Sequence, residues 1–482
     1  MNNKFQLARA NQKTKIVATL GPASSSPENL LALIKEGVDV FRLNMSHGEQ
    51  ETHRECIKRI VKINKDHGLH IGILADLQGP KLRVGKMKGK GLAIKPGDIL
   101  TFVNEPCEGT MDKIYMSYQN FAQDVKIGER VLVDDGKIEL EVAESDGKSE
   151  VKLKVLFGQL LSSNKGVNLP DTKVSLPCLT EKDLNDLEFV LTQPVNWIAL
   201  SFVRKGKDVR DLIKLIKEKD HPAKVIAKVE KPEAIKNIKD IIKASDAIMV
   251  ARGDLGVEVP MEKLPAIQKM IIRRCIQKAK PVIVATQMME SMITNPSPTR
   301  AEITDVANAV IDGADAVMLS GETSVGDHPV KVVEAMGKII AEAEKSYAIQ
   351  GKRPKADSDS KTFLSDVVCF TAAKTAEEIN AKGIIGLTVS GHTAFKISSF
   401  RANIPIYIFS DREHMLGTFN LIWGVRGYHY DKFTSTDETI YDLVDILKEN
   451  GHLKSGDRVV NTGSMPIHKR FRTNMMKITI VD

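Results

Sequence analysis

Eight short β-rich runs, each ending in polar residues and most followed by helix-like sequence, limit the folds open to this chain. They read KIVATLG (15–21), VDVFRLNMS (38–46), HIGILADL (70–77), VNWIALSF (195–202), KVIAKVE (224–230), DAIMVARGD (246–254), PVIVATQM (281–288) and DAVMLSGE (315–322). Between most of them lie patterns such as SPENLLALIKEG (26–37) and GKDVRDLIKLIKEK (206–219), with apolar residues at helical spacing and cap residues at their ends. Runs that are apolar throughout suit parallel strands covered on both faces. Eight such units predict an α/β fold of the (β/α)8 barrel type, with its active site where the strands end.

The rhythm breaks once, after Pro80. From there to about Leu176 the helical spacing gives way to short runs and turn signals such as KPGDIL, VLVDDGKIELEV and SEVKLKVLFG. This predicts a small β-barrel inserted after the third barrel strand, placed over the mouth as a lid. Beyond the eighth strand a helical stretch (328–349) leads to the polar linker QGKRPKADSDSK, and helices then alternate with strands again. The expected units are a catalytic barrel over 1–80 and 177–347, a lid over 81–176 and a C-terminal α/β domain of regulatory type over 348–482. A chain of 482 residues with 42% apolar content can bury cores for all three.

Several function classes are disfavoured. The N-terminal MNNKFQLARANQKTK carries no apolar leader, and no apolar run reaches the roughly 20 residues needed to span a bilayer. A cytoplasmic protein without a membrane partner is expected. Five scattered cysteines with no C-x-x-C pair suggest neither disulfides nor zinc. The net charge of +7 is spread among acidic residues and aromatics make up 5%, which favours anionic small molecules over nucleic acid. Neither a P-loop nor G-x-G-x-x-G after a strand occurs, so nucleotide chemistry must use side chains and metal.

Polar residues gather at the strand ends. Strand alternation lets Arg42, Asn44 and Ser46 share a face, and likewise Lys228 and Glu230. A guanidinium at Arg42 suits phosphate or carboxylate. Glu230 and Asp254 supply two hard oxygen ligands, the set that suits Mg²⁺ with water and substrate filling the remaining positions; Mn²⁺ accepts the same ligands. Thr286-Gln287 and Ser320-Gly321-Glu322 add hydroxyl, amide and carboxylate groups. Taken singly, each segment is equally an ordinary ion pair or turn. Together, with no activated Ser, Cys or His nucleophile, they suit phosphoryl transfer, in which positioning and charge neutralisation dominate.

The segments KIVATLGPAS, FRLNMSHG, KGVNLP, AKVEK, DAIMVARGDLGVE, KPVIVATQMMESM and PTRAEITDVANAVIDGADAVMLSGET together resemble pyruvate kinase across essentially the whole chain. The resemblance implies transfer of phosphoryl from phosphoenolpyruvate to ADP in glycolysis, with Mg²⁺ and a homotetrameric assembly. It implies that Arg42 holds the transferring phosphoryl, and that Lys228 neutralises transition-state and enolate charge. Glu230 and Asp254 would bind the metal. The Gly253 and Asp254 backbone with Thr286 would hold the substrate carboxylate, and Thr286 or a water relayed through Ser320 would protonate the enolate. Nucleotide contacts are implied for Pro22, Asn44, His47, Arg83, Lys165 and Asp135, with Thr52 standing where some relatives carry tyrosine.

Members that need K⁺ hold it with residues matching Asn44, Ser46, Asp76 and the Leu77 carbonyl, and carry DTKGPEIR where this chain reads DLQGPKLR. Lys81 replaces the glutamate, a pattern resembling members that work without K⁺. K⁺ is therefore expected not to be required, the Lys81 ammonium supplying the cation near Asp76. The loop TVSGHTA, with Thr388, Ser390, Gly391, His392 and Thr393, follows a strand and precedes a helix, so it is a candidate phosphate cradle for an effector. Two rival readings are a Mg²⁺-dependent keto-acid aldolase, or another phosphoenolpyruvate-using barrel, and a non-catalytic sugar-phosphate sensor.

Overall fold

The computed structural model describes residues 12–346, 354, 356–432, 435–466 and 471–482. Strands β1 (Lys15–Thr19), β2 (Val40–Asn44) and β3 (Gly72–Asp76) come first. An insert follows with β4 (Leu92–Ala93), β5 (Ile99–Val103), β6 (Ile114–Tyr115), β7 (Arg130–Val133), β8 (Ile138–Ser145), β9 (Glu150–Phe157), β10 (Leu160–Leu161) and β11 (Val167–Asn168). Next come β12 (Trp197–Leu200), β13 (Lys224–Val229), β14 (Ala247–Ala251), β15 (Val282–Ala285) and β16 (Ala316–Leu319). The first three and last five of these strands close an all-parallel barrel in the order β1-β16-β15-β14-β13-β12-β3-β2. Pairing of Trp197 with Leu74 and Ala199 with Asp76 joins β12 to β3 across the whole insert.

Local chemistry sets the helix boundaries. In the helix Pro27–Glu36, Ser26 accepts from the Asn29 amide at 3.2 Å, proline occupies the first turn, and Gly37 ends it at φ 112°. The helix Arg300–Ile311 opens with a reciprocal Thr299–Glu302 capping box.

Alternation along the barrel strands sorts their side chains into two layers. Val17, Val40, Leu74, Ile226, Met249 and Ile283 pack together in one buried cluster. Their neighbours Ile16, Phe41, Ile73, Ile198, Val225 and Ile248 belong to another, shared with the helices. A period of two then puts Thr19, Arg42, Asp76 and Lys228 on the lumen face, one step above the apolar floor. The hydrophobic floor and the polar mouth come from the same alternation.

The insert has a core of its own. It comprises a six-stranded sheet in the order β11-β7-β8-β9-β5-β6 and a ribbon pairing β10 with β4. Arg83 bridges Gly166 beside β11, and Val84 bridges Met116 beside β6, so the two edges of the sheet are linked and it curls toward a barrel.

The C-terminal unit is a sheet of β17 (Gly383–Leu387), β18 (Ile406–Ser410), β19 (Val425–His429), β20 (Arg458–Gly463) and β21 (Met475–Ile480), in the order β19-β18-β17-β20-β21. Only β21 runs antiparallel to its neighbour. Leu421 from this unit joins the lumen cluster. Asp315, preceding β16, accepts from the Trp423 amide at 3.2 Å and from Arg401 at 2.7 Å, a buried link between barrel and C-terminal unit.

Candidate active site

Four charged lumen side chains form a continuous chain at the mouth. Arg42 donates through Nε to Asp76 Oδ2 at 2.7 Å and through a terminal nitrogen to Thr19 Oγ1 at 3.0 Å. The Lys228 ammonium stands 3.2 Å from Asp76 Oδ1 and 3.0 Å from Glu230 Oε1, and donates to Ser201 Oγ at 2.7 Å. Ser201 in turn donates to the Leu77 carbonyl at 2.7 Å. The Phe202 amide donates to Glu230 Oε2 at 2.5 Å.

Burial sets the electrostatics. Asp76 and Glu230 are both 1% exposed. Burial alone would raise the Asp76 carboxyl, but attraction from Lys228 and Arg42 outweighs it and holds its pKa below the usual carboxylate value. Burial alone would likewise depress the Lys228 ammonium, yet Asp76 and then Glu230 push its pKa up. Glu230 goes the other way, raised by burial and by the nearby Asp254 despite the pull of Lys228.

Asp254 completes the set. It lies in the first turn of the helix Arg252–Glu258, half-buried, and its charge acts on both Glu230 and Lys228. Among the described residues no cluster of three or more metal-ligating side chains occurs. Two carboxylates fit Mg²⁺, which binds through one or two carboxylates and completes its shell with water and substrate oxygens.

The end of β15 is strained. Thr286 and Gln287 have φ of 68° and 53°, and Phe202 at the end of β12 has 54°. Non-glycine residues in this region cost about 1–3 kcal/mol each and persist only where the surroundings impose them. Arg252 imposes it here. Its guanidinium donates to the Thr286 carbonyl at 2.8 Å and the Ala285 carbonyl at 3.3 Å, and pairs with Asp305 at 2.7 Å. Thr286 Oγ1 thereby reaches the Gly253 amide, accepting at 2.6 Å, while donating to the Ala285 carbonyl at 2.5 Å.

Gly79 is required where the chain leaves the barrel for the lid. Its φ is 70°, and a Cβ there would lie 2.8 Å from the Phe202 ring and 2.9 Å from Ser201 Cβ.

The remaining sequence candidates divide. Ser320 sits at the end of β16, its amide donating to Glu322 Oε2 at 2.7 Å. Asn44 accepts from the Ser46 amide at 3.2 Å, and the His47 amide donates to the Asn44 carbonyl at 3.1 Å. His47 is lowered by burial and then by the fields of Arg83, Lys81, Arg42 and Lys182, so four cations converge near it. Pro22 and Asp135 are exposed, and Lys165 pairs with Asp134 at 2.9 Å.

Lys81 does not pair with Asp76 directly. It is exposed and makes no ion pair among the described residues, and Asp76 is held by Arg42 and Lys228 instead. Asp76 and Leu77 face the Lys228–Ser201 side. The third-domain loop forms as read, but its polar groups are largely committed. Thr388 Oγ1 accepts from the Gly391 amide, Ser390 Oγ from the His392 amide at 3.5 Å, and Thr393 meets the Thr473 hydroxyl at 2.7 Å. His392 and Lys396 both pair with buried Asp366, at 3.0 and 2.9 Å.

Sequence reasoning missed Ser201, Phe202 and Arg252 as contributors. Ser201 and Phe202 lie on a recognised strand run, yet nothing local signals that Ser201 mediates between Lys228 and Leu77. The sequence did place Arg252 between an apolar strand run and the Gly-Asp pair; its need for partners comes from burial, 9% exposure, which only the fold shows.

Comparison with known proteins decides the family. The family model "Pyruvate kinase, barrel domain" matches residues 11–333, and "Pyruvate kinase, alpha/beta domain" matches 366–479. The chain belongs to the pyruvate kinase family. Curated relatives include the pyruvate kinases of Corynebacterium glutamicum, 41% identical over 98% of both chains, and Geobacillus stearothermophilus, 40% identical over 98% of this chain and 80% of that one. The solved pyruvate kinase of Cryptosporidium parvum superposes with a TM-score of 0.91 at 34% identity, covering 100% of this chain and 98% of its own. The resemblance read in the sequence is borne out, and the aldolase and sensor alternatives find no support.

Proposed function

We infer that the chain transfers phosphoryl from phosphoenolpyruvate to ADP, and that the buried Arg42–Asp76–Lys228–Glu230 chain beside Asp254 is the machinery. The observation carrying this reading is one buried ammonium bonded to two carboxylates at a barrel mouth. In the reaction the bond between the enol oxygen and phosphorus breaks as a β-phosphate oxygen of ADP bonds to phosphorus. The enolate left behind takes a proton at its methylene carbon to give pyruvate. Arg42, fixed by Asp76, presents its remaining donors to the phosphoryl oxygens. Lys228 is placed to offset charge on the enolate oxygen without reorganising.

Glu230 and Asp254 would hold Mg²⁺, or Mn²⁺, which supplies charge neutralisation for the phosphoryl and substrate oxygens. The substrate carboxylate is assigned to the backbone of Gly253 and Asp254 and to Thr286, whose hydroxyl proton must leave the Ala285 carbonyl if it is to reach the enolate. Ser320 is the alternative relay through water. The nucleotide is assigned to Pro22, Asn44, His47 and Arg83, with Lys165 and Asp135 from the lid. Mixing protein, Mg²⁺, ADP and phosphoenolpyruvate and following pyruvate through a coupled dehydrogenase tests the whole reading. No ADP-dependent pyruvate would reject it.

K⁺ independence is retained with a changed basis. Lys81 acts through its field at His47 and the mouth, supplying a fixed positive charge where Asn44, Ser46, Asp76 and Leu77 would otherwise gather a monovalent ion. Activity is expected to persist in K⁺-free, Na⁺-free buffer, and Lys81→Glu to acquire dependence on added K⁺. A steep loss for the unaltered protein would overturn this.

The unit boundaries follow the sequence reading: a catalytic barrel over 1–80 and 177–347, a lid over 81–176 and a C-terminal unit over 348–482. Contact between copies is supported by β21, a sheet edge on which Ile478 and Ile480 are 48% and 64% exposed, and the homotetramer follows only from the family resemblance. Sedimentation measures it. A phosphorylated effector is assigned to a cavity of about 380 Å³ where Ser390, His392 and Lys396 meet Lys224 and Lys280 of the barrel, with Asp246, Asp357 and Asp366 also in its wall. Calorimetric titration with sugar phosphates and nucleotides tests that. No helix among the described residues is long and apolar enough to cross a membrane. The cytoplasmic location is a proposal of its own, which fractionation would check.

A further inference from the structure

The lid meets the barrel through three buried polar side chains that the proposed reaction does not use. Asn168 of β11, Lys231 just after β13 and Glu258 at the end of the helix Arg252–Glu258 are 8%, 9% and 4% exposed. Lys231 Nζ donates to Glu258 Oε1 at 2.5 Å, and Asn168 Nδ2 donates to the same oxygen at 2.9 Å. The second carboxylate oxygen, Oε2, is buried and accepts from no group among the described residues.

A buried Lys–Glu pair is an inefficient route to stability, since apolar side chains of similar volume often serve as well. Its use is in direction, and three placements indicate which direction matters. Lys231 directly follows Glu230. Glu258 lies four residues after Asp254 on one helix, hence on the same face. Asn168 comes three residues after Lys165, the lid's candidate nucleotide contact. The trio therefore ties the lid to the backbone that carries both metal carboxylates.

That junction has slack. A cavity of about 30 Å³ beside the trio, lined by Lys81, Asp135, Asn168, Lys231 and Asp254 among others, leaves room there for roughly one or two waters. The free oxygen of Glu258 offers a way to move without leaving a buried donor unpaired. Asn168 passes from Oε1 to Oε2 of one carboxylate while Lys231 holds that carboxylate to the barrel.

We propose that Glu258 is a positioning residue: with Lys231 it makes a two-oxygen pivot for Asn168 that sets where the Lys165 loop stands over Glu230 and Asp254 when a nucleoside diphosphate binds. The proposal rests on the reaction inferred above. Asn168→Leu removes the donor and keeps the stem, and Glu258→Gln keeps the shape and removes the spare acceptor. Each is expected to raise KM for ADP about tenfold, the effect of one hydrogen bond to a charged acceptor, with KM for phosphoenolpyruvate changed by less than about twofold. Exchange of the amide hydrogens of residues 165–168 should accelerate in the same variants. Should Glu258→Gln fail to fold, Asn168→Leu carries the test. Both KM values rising together, or lowered melting temperature with both unchanged, would overturn the pivot. If the unaltered protein made no pyruvate, the inferred reaction would fall, and exchange would still decide the pivot. Slowing at 165–168 on adding Mg²⁺ and ADP that Asn168→Leu abolishes would uphold it, and equal slowing in both proteins would overturn it.

Discussion

Replacing Lys228 with methionine is expected to lower the rate of pyruvate formation about 10³-fold or more, the scale of losing a preorganised charge aimed at a developing anion. Methionine has nearly the length of lysine and no charge, so it isolates the electrostatic contribution. Two consequences add. The enolate oxygen loses its counter-charge, and the carboxylates of Asp76 and Glu230 lose the ammonium they share at 3.2 and 3.0 Å. Asp76 keeps Arg42 at 2.7 Å. Glu230 keeps the Phe202 amide, and its pKa is already raised by burial, with Lys228 the chief opposing influence. In the variant the Glu230 pKa is expected to rise further, so that protons compete better with metal at that carboxylate. Mg²⁺ affinity should therefore fall with the rate, and activity should recover in part as pH rises and Glu230 deprotonates. Removing one partner of a buried ion pair costs about 3–5 kcal/mol, so a lowered melting temperature is expected alongside. Stopped-assay rates, Mg²⁺ titration and thermal unfolding separate the three effects. A variant retaining a tenth of the normal rate would remove Lys228 from the chemistry.

The alternation that makes this site was visible in the sequence. Lys228 and Glu230, or Arg42 and Asn44, stand two apart at the ends of apolar runs, and a parallel barrel leaves one face of each run pointing inward. What was not visible involves pairs far apart in the chain or backbone signs that residue type does not give. Ser201 bonds to Leu77, 124 residues earlier, and acquires its place only when β12 pairs with β3 across the lid. The positive φ of Phe202, Thr286 and Gln287 has no local signature, because these residue types normally avoid that region; the cause is tertiary, chiefly Arg252 gripping the Thr286 carbonyl. Lys81 shows a different limit. Its place near Asp76 was read from the DLQGPKLR pattern and its resemblance to members that work without K⁺, whereas in the fold the turn at Gly79, with φ 70°, leads toward the lid and the Lys81 side chain is exposed. Likewise Lys165 has Asp134 as its partner, a pairing set by the adjacent hairpin.

The two metal carboxylates should respond differently to neutralisation, because their surroundings differ. Asp254 lies half-buried at a helix start and makes no ion pair among the described residues, so its oxygens are available to a cation. Asn at that position keeps one carbonyl oxygen as a neutral ligand. Asp254→Asn is therefore expected to lose about 10²-fold in rate at ordinary Mg²⁺, through weaker retention of a cation that supplies several kcal/mol of charge stabilisation, and to regain part of it as Mg²⁺ is raised. Glu230 is committed on both oxygens, to Lys228 at 3.0 Å and to the Phe202 amide at 2.5 Å. In Glu230→Gln an NH₂ group must face one of those two donors, so a donor meets a donor whichever way the amide turns. Lys228 or the strained Phe202 backbone then shifts, and added metal cannot restore what has moved. The expected loss is about 10³-fold, insensitive to Mg²⁺ concentration, since the lost stabilisation involves both the cation and the ammonium. Activity measured against Mg²⁺ concentration for the two variants, with calorimetric Mg²⁺ binding beside it, reads the difference. Equal rescue of both would mean that Glu230 acts only as a ligand and that the ammonium is held in place by Asp76 and Ser201 without it.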